Sequence, residues 1–240
     1  MTSVRIGTAG WAIPRAVAQA FPAEGSVLQR YASRFDAAEI NTTFYRQHRP
    51  QTLDRWRVSV PPDFRFAVKL PRAITHEARL QDCAEALARF LSDVAQLGDK
   101  LGPLLIQLPP SLTFDATAAA AFFADLRALY EGPAVLEPRH TTWFEADPEV
   151  LLRDHRIARV AADPARHPLA GLPGGWEGLA YWRLHGSPRM YFSPYGEEAL
   201  RALSAALRSA PATETWCIFD NTASGAAAAD ALALRSLIEG

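Results

Sequence analysis

The chain has 240 residues, 49% hydrophobic and 21% charged, the balance of an ordinary globular protein rather than a disordered or fibrous one. A net charge of −1 removes the simplest case for nucleic-acid capture, a strongly basic domain, and no apolar run reaches the ~18–20 residues that cross a bilayer. The first ten residues lack a basic stretch followed by an apolar one, and Cys83 and Cys217 are the only cysteines, so the cytoplasm is the expected location and no cysteine framework is expected.

Along the chain, strand-length apolar runs alternate with longer amphipathic stretches. The pattern predicts a strand over 4–9, a short helix over 26–33, a strand over 37–42 and a short helix over 51–58. A β-rich run at 65–70 precedes a long helix over 82–97, in which Leu87, Phe90, Leu91 and Val94 recur at helical spacing. A strand over 104–108 and a helix over 115–130 follow, then a strand over 134–137, a helix over 148–154 and a strand over 157–162. Residues 166–178 are rich in Pro and Gly and read as a loop standing where a helix would. The chain closes with strands over 179–184 and 215–219 and helices over 197–208 and 225–237.

About eight strands, nearly every one followed by a helix, predict parallel βαβ units with right-handed crossovers. Eight units in this length suit a closed TIM-type (β/α)8 barrel spanning residues 1–240 as a single domain. Gly7-Thr8-Ala9-Gly10 lacks the spacing of a dinucleotide-binding loop, and no helix opens on it.

In such a barrel the carboxyl ends of the strands share one mouth. The residues found there are Trp11, Glu39, Asn41, Tyr45, Lys69, His76 and Gln107 from the first half. The second half adds Glu137, Arg139, His140, Trp143, Arg183, His185, Arg189, Tyr191, Asp220 and Asn221. Strands of a parallel sheet should read as nearly continuous apolar runs, yet Glu39, Lys69, Gln107, Glu137, Arg183, His185 and Asp220 break or end them. Burying so many ionisable groups is expensive unless they pair. They form either a site or a structural plug of ion pairs.

The single motifs carry alternatives too. Thr75-His76-Glu77 puts an imidazole beside a carboxylate, but position 80 is Leu, so the two-histidine metalloprotease helix fails and helix capping stays open. Glu137-Pro138-Arg139-His140 sets an acid, a guanidinium and an imidazole within four residues. Arg139 suits a bidentate clamp on phosphate or carboxylate, or it neutralises a neighbouring acid. His185-Gly186 reads as an acid/base beside a position open to close approach, or as a core histidine. Trp11, Phe44, Tyr45, Trp143 and Tyr191 suit a sugar or base platform, or core filling.

These residues together resemble the YecE-like family, whose label is one of unknown function. The resemblance covers essentially the whole length. It rests on Gly7 to Trp11, Glu39 to Tyr45, Phe66 to Lys69, Ile74 to Glu77 and Leu101-Gly102. It continues through Gln107 to Ser111, Glu137 to His140 with Trp143, Arg183 to Gly186, Tyr191 with Tyr195, and Phe219 to Thr222 with Gly225 and Ala226. The family often has Asn where this chain has Asp220. The resemblance implies a TIM-type barrel and a mouth pocket, and supplies no reaction.

Three functions fit. The leading expectation is an enzyme acting on a phosphorylated or other anionic ligand, such as a nucleotide or nucleic acid. Glu39, Lys69, His76, Glu137 and His185 would be catalytic, the remaining mouth residues would bind, and metal-assisted phosphoester hydrolysis is one form of it, with the metal left open. The second is metal-free acid/base chemistry on a carbohydrate, with Glu39 and Glu137 as a carboxylate pair. The third is an anion- or single-strand-binding protein without turnover. No membrane contact and no obligate protein partner are expected.

Overall fold

The computed structural model describes residues 3–240. Its strands are β1 (Ser3–Ala9), β2 (Ala37–Ile40), β3 (Arg65–Lys69), β4 (Leu101–Gln107), β5 (Ala134–Glu137), β6 (Ile157–Arg159), β7 (Ala161–Asp163), β8 (Gly174–Gly175), β9 (Leu179–Leu184) and β10 (Glu214–Phe219). The helices are α1 (Val27–Ala32), α2 (Pro50–Val58), α3 (Ala84–Val94), α4 (Ala116–Leu129), α5 (Ala146–Asp154), α6 (Glu197–Ser209) and α7 (Ala226–Glu239). None of them is long and apolar enough to cross a membrane.

The sheet runs β7-β9-β10-β1-β2-β3-β4-β5-β6-β8. β6 and β7 are two halves of one run, parted only at Val160. The first half pairs with β5 and the second with β9, so this run hands over from one neighbour to the other and closes the ring. Every pairing in the ring is parallel; the two-residue β8 lies antiparallel on β6 outside it. The result is a TIM-type α/β barrel.

Local chemistry accounts for most element ends. Ser26 accepts from the Gln29 amide while the Gln29 side chain accepts from the Ser26 amide, a capping box that opens α1. Asp115 accepts from the Ala118 amide and opens α4. The helix expected over 82–97 is shorter: α3 ends at Val94 and a 3-10 turn carries the chain to Lys100. Gly98 takes φ 53° there, which a helix cannot continue through. β4 accordingly begins at Leu101, three residues before the expected start. The stretch 166–178 does replace a helix, and holds only a 3-10 turn, Pro168–Gly171, and β8.

Inside the ring the side chains stack in layers, as barrel interiors require. At the amino end Arg5 donates to Glu214 at 2.9 Å and to the Asp63 carbonyl at 2.6 Å. The middle layer is apolar. Tyr181 and Trp216 stack there with ring centroids 5.9 Å apart, and the small Ala37, Ala67 and Ala158 leave room for them. Gly102 is part of the same fit, since a β-carbon on it would lie 2.7 Å from the Trp216 ring. Ala38, Ile40, Phe66, Val68, Leu104 and Ile106 point the other way, into the layer shared with the helices. Toward the carboxyl end, charge begins above the tyrosine and tryptophan.

Candidate active site at the carboxyl end of the barrel

Strand pairing fixes which polar residues share the axis. Ala9 stands opposite Glu39, Lys69 opposite Leu105, Gln107 opposite Glu137, and Ile218 opposite Arg183. Arg183 is the hub and is fully buried. Its Nε and Nη2 donate to the two oxygens of Glu39 at 3.0 and 2.7 Å. Nη1 donates to Glu137 at 2.6 Å and Nη2 also to Asp220 at 3.0 Å. Tyr181, from the layer below, donates its hydroxyl to Glu39 Oε2 at 2.9 Å. One planar guanidinium thus ties together acids from three strands, a geometry that a lysine could not satisfy.

His185 sits between two of those acids. Its Nδ1 is 3.0 Å from Asp220 and its Nε2 2.8 Å from Glu137. Arg139 Nη2 lies 2.6 Å from Glu137 Oε1 and 3.0 Å from the same His185 Nε2. A doubly protonated ring donates to both acids. A neutral ring can donate to only one of them and turns a lone pair toward the other.

Burial would raise the carboxyl of Glu137, but the guanidiniums of Arg183 and Arg139, with His185 beside them, hold it well below the usual carboxylate range. Asp220 is held down in the same contest by Arg183 and by its bond to His185. Burial lifts the Tyr181 phenol far above its ordinary value, and the Glu39 charge adds to that. The phenol stays a donor.

Lys69 differs from its neighbours. Its Nζ has no hydrogen-bond or ion-pair partner among the described residues and lies 4.3 Å from the centre of the Phe44 ring. Burial and then the Arg183 charge pull its pKa down to about 8, against the pull of Glu39, Glu137 and Asp220. Half-buried His76 is also lowered, first by burial and then by the charges of Lys69, Arg72 and Arg139. Three cations therefore crowd one imidazole. Arg139 adds a buried Nε with no partner among the described residues.

The structure brings Glu39, Lys69, Glu137, Arg139, Arg183, His185 and Asp220 into one cluster, with His76 on its cationic side. Tyr191 packs edge-on against His185, centroids 5.6 Å apart. Gln107 ends its strand beside Glu137. Trp11 and Asn41 line a neighbouring cleft. Others go elsewhere. Trp143 is corrected from platform to core: its 3-10 turn, Thr141–Phe144, folds the ring against Phe114, and Nε1 donates to the Leu112 carbonyl at 3.0 Å. Asn221 is likewise a structural tie, donating to the Ser193 carbonyl at 3.0 Å and to Asp230 at 2.6 Å. His140 caps the turn that follows it through Nδ1. Tyr45 is 75% exposed, and Arg189 lies over Phe192 at 4.0 Å, so both stand at the rim.

Sequence reasoning missed Tyr181, although it stands two residues before Arg183 and so must share its face. It also missed Arg72 and Trp56, which lie off the strand ends. The donor set does not fit a divalent metal. No three His, Cys, Asp or Glu side chains among the described residues are grouped to hold one, and Glu39, Glu137 and Asp220 are each bonded to Arg183.

The family model described as "Protein of unknown function DUF72" matches residues 5–240. The UPF0759 protein YecE of Escherichia coli strain K12 is 32% identical over 142 residues, 59% of this chain and 50% of that protein. The match thus spans about half the length of this curated relative. Among solved structures, a DUF72 family protein from Thermotoga maritima superposes with a TM-score of 0.81 at 26% identity, covering 99% of this chain and 100% of the other. One from Enterococcus faecalis superposes with a TM-score of 0.82 at 21% identity, covering 99% and 96%; that similarity is one of fold.

Proposed function

The chain belongs to the DUF72 family of proteins of unknown function, and we propose that its barrel mouth is an enzyme site that moves a proton on a small phosphorylated or other anionic ligand. The observation that carries this reading is Lys69: an amine with no hydrogen-bond or ion-pair partner among the described residues and a pKa of about 8, beside a cluster whose three acids are all bonded to Arg183. At neutral pH about a tenth of such an amine is free base, a useful fraction for a general base. Lys69 in its charged form, Arg72 and the unpartnered Nε of Arg139 supply attraction for an anion. His76, lowered by burial and then by those same cations, is a neutral donor or acceptor next to it. His185 joins Glu137 to Asp220 through its two ring nitrogens, a hydrogen-bonded chain of the kind a proton relay uses.

The competing enzyme readings find less support. Metal-assisted hydrolysis needs ligands that the arginine-bound acids do not offer. A glycosidase pair needs one carboxyl kept protonated near neutral pH, and Glu137 is held in the opposite direction.

The test begins with a thermal-shift screen of phosphorylated and carboxylated metabolites. NMR then follows deuterium uptake from solvent into each ligand that binds. Lys69→Met should weaken binding about tenfold and cut exchange by about 10²-fold or more. Bound anion should raise the pKa of His76, because it offsets the three cations. A ligand that binds Lys69→Met as well as wild type and leaves His76 unmoved would overturn the assignment. Binding with no exchange or turnover would leave a non-catalytic anion receptor.

A further inference from the structure

We infer that the cleft beside the charge cluster is a subsite for a hydroxyl-rich, sugar-like body attached to the anionic group, an assignment that rests on the anion reading above and adds the substrate class to it. The cleft has a volume of about 390 Å³, within the range of small-molecule sites. It lies between the ends of β1 and β2 and the helix α2. Trp11, Trp56 and His48 line it as an interlocked aromatic wall. Trp11 meets Trp56 edge-on at 4.8 Å, and His48 meets Trp56 at 4.9 Å. Thr42 Oγ1 holds the His48 ring by a 2.7 Å bond.

Asn41 supplies an unused acceptor: its Oδ1 is buried and has no hydrogen-bond partner among the described residues, a state that a native protein tolerates only at a cost in desolvation. Glu39 is also among the residues around the cleft, but its carboxylate is fully buried and is taken up by three hydrogen bonds, from Tyr181 and twice from Arg183. Arg46 on the same cleft donates, while the unused Asn41 oxygen calls for donors. Vicinal hydroxyls supply them, and the C–H faces of a sugar ring suit aromatic walls.

A turn joins the two halves. Asn41 opens the 3-10 turn Thr42–Phe44 that follows β2, and Thr43 Oγ1 in that turn donates to the Lys69 carbonyl at 2.7 Å. A ligand with its anionic group at Lys69 and Arg139 would lay its neighbouring carbons over Asn41.

The experiment is calorimetric titration of the full chain with inorganic phosphate, butyl phosphate, ribose 5-phosphate, glucose 6-phosphate and AMP. At least one sugar phosphate should bind tenfold or more tighter than butyl phosphate. Asn41→Leu should erase that advantage while inorganic phosphate binds as before, and Trp11→Ala should reduce it independently; melting curves confirm that each variant is folded. Sugar phosphates no tighter than butyl phosphate, or an advantage that survives both variants, would overturn the subsite and leave the anion reading standing. AMP tenfold tighter than ribose 5-phosphate would overturn it too, because the cleft would then read a base. Failure of every phosphate compound to bind would overturn the anion reading and the subsite together.

Discussion

Lys69 is placed where its charge is least welcome, and this has a signature in stability. A free lysine titrates near ~10.4, whereas Lys69 titrates at about 8 in the fold. Below pH 8 both folded and unfolded chains hold the proton, and folding bears the full cost of burying the ammonium. Between pH 8 and ~10.4 the folded chain releases the proton first, so the cost fades. Lys69→Met should therefore stabilise the protein by about 2 kcal/mol at pH 7, a figure kept below the full shift because the amine is not wholly shielded from water. The gain should shrink toward zero by pH 10; urea unfolding at the two pH values would show it, and an equal gain at both would contradict the lowered amine. A change that stabilises the fold while it removes binding is the trade expected at a working site. At this scale the sequence revealed Glu39, Glu137, Arg183, His185 and Asp220, because a charge inside an apolar strand is conspicuous. It did not reveal direction. Trp143 and Trp11 read alike as aromatics near strand ends, and only the backbone turn at Thr141–Phe144 sends Trp143 into the core.

Elements were legible where pattern and punctuation agreed. The α4 start at Asp115 and the Pro/Gly replacement of a helix follow from residue chemistry alone. The start of β4 did not, because Gly102 and Pro103 look like loop residues, and the reason for Gly102 lies on another strand. Trp216 fills the space where its β-carbon would be. Gly102 has no unusual φ, so the demand is one of volume. Gly102→Ala should destabilise by about 1–3 kcal/mol through overpacking. Trp216→Phe should recover part of that loss in the double variant, and simple additivity of the two changes would contradict the contact.

For the whole molecule, the closure of the ring is among its lightly paired seams. The run from Ile157 to Asp163 holds each neighbour by only three paired positions, while β1 and β10 share six. Native-state hydrogen exchange should find amides of that run less protected than those of β1 and β10; equal protection would mean that the seam opens only with global unfolding. The Arg183 hub lies across the same closure, and its consequence is kinetic. Its partners lie 144, 46 and 37 positions away in the chain, so it cannot assemble until distant strands have met. Contacts that form last add nothing to the speed of folding and everything to the delay before unfolding. Arg183→Met strands three buried acids and should cost about 3–5 kcal/mol. Chevron kinetics should place that loss in the unfolding arm, about 100-fold faster or more, with refolding within about threefold of wild type. Arg183 is then the latch of the barrel: it leaves the rate of closing almost untouched and decides how long the barrel stays shut.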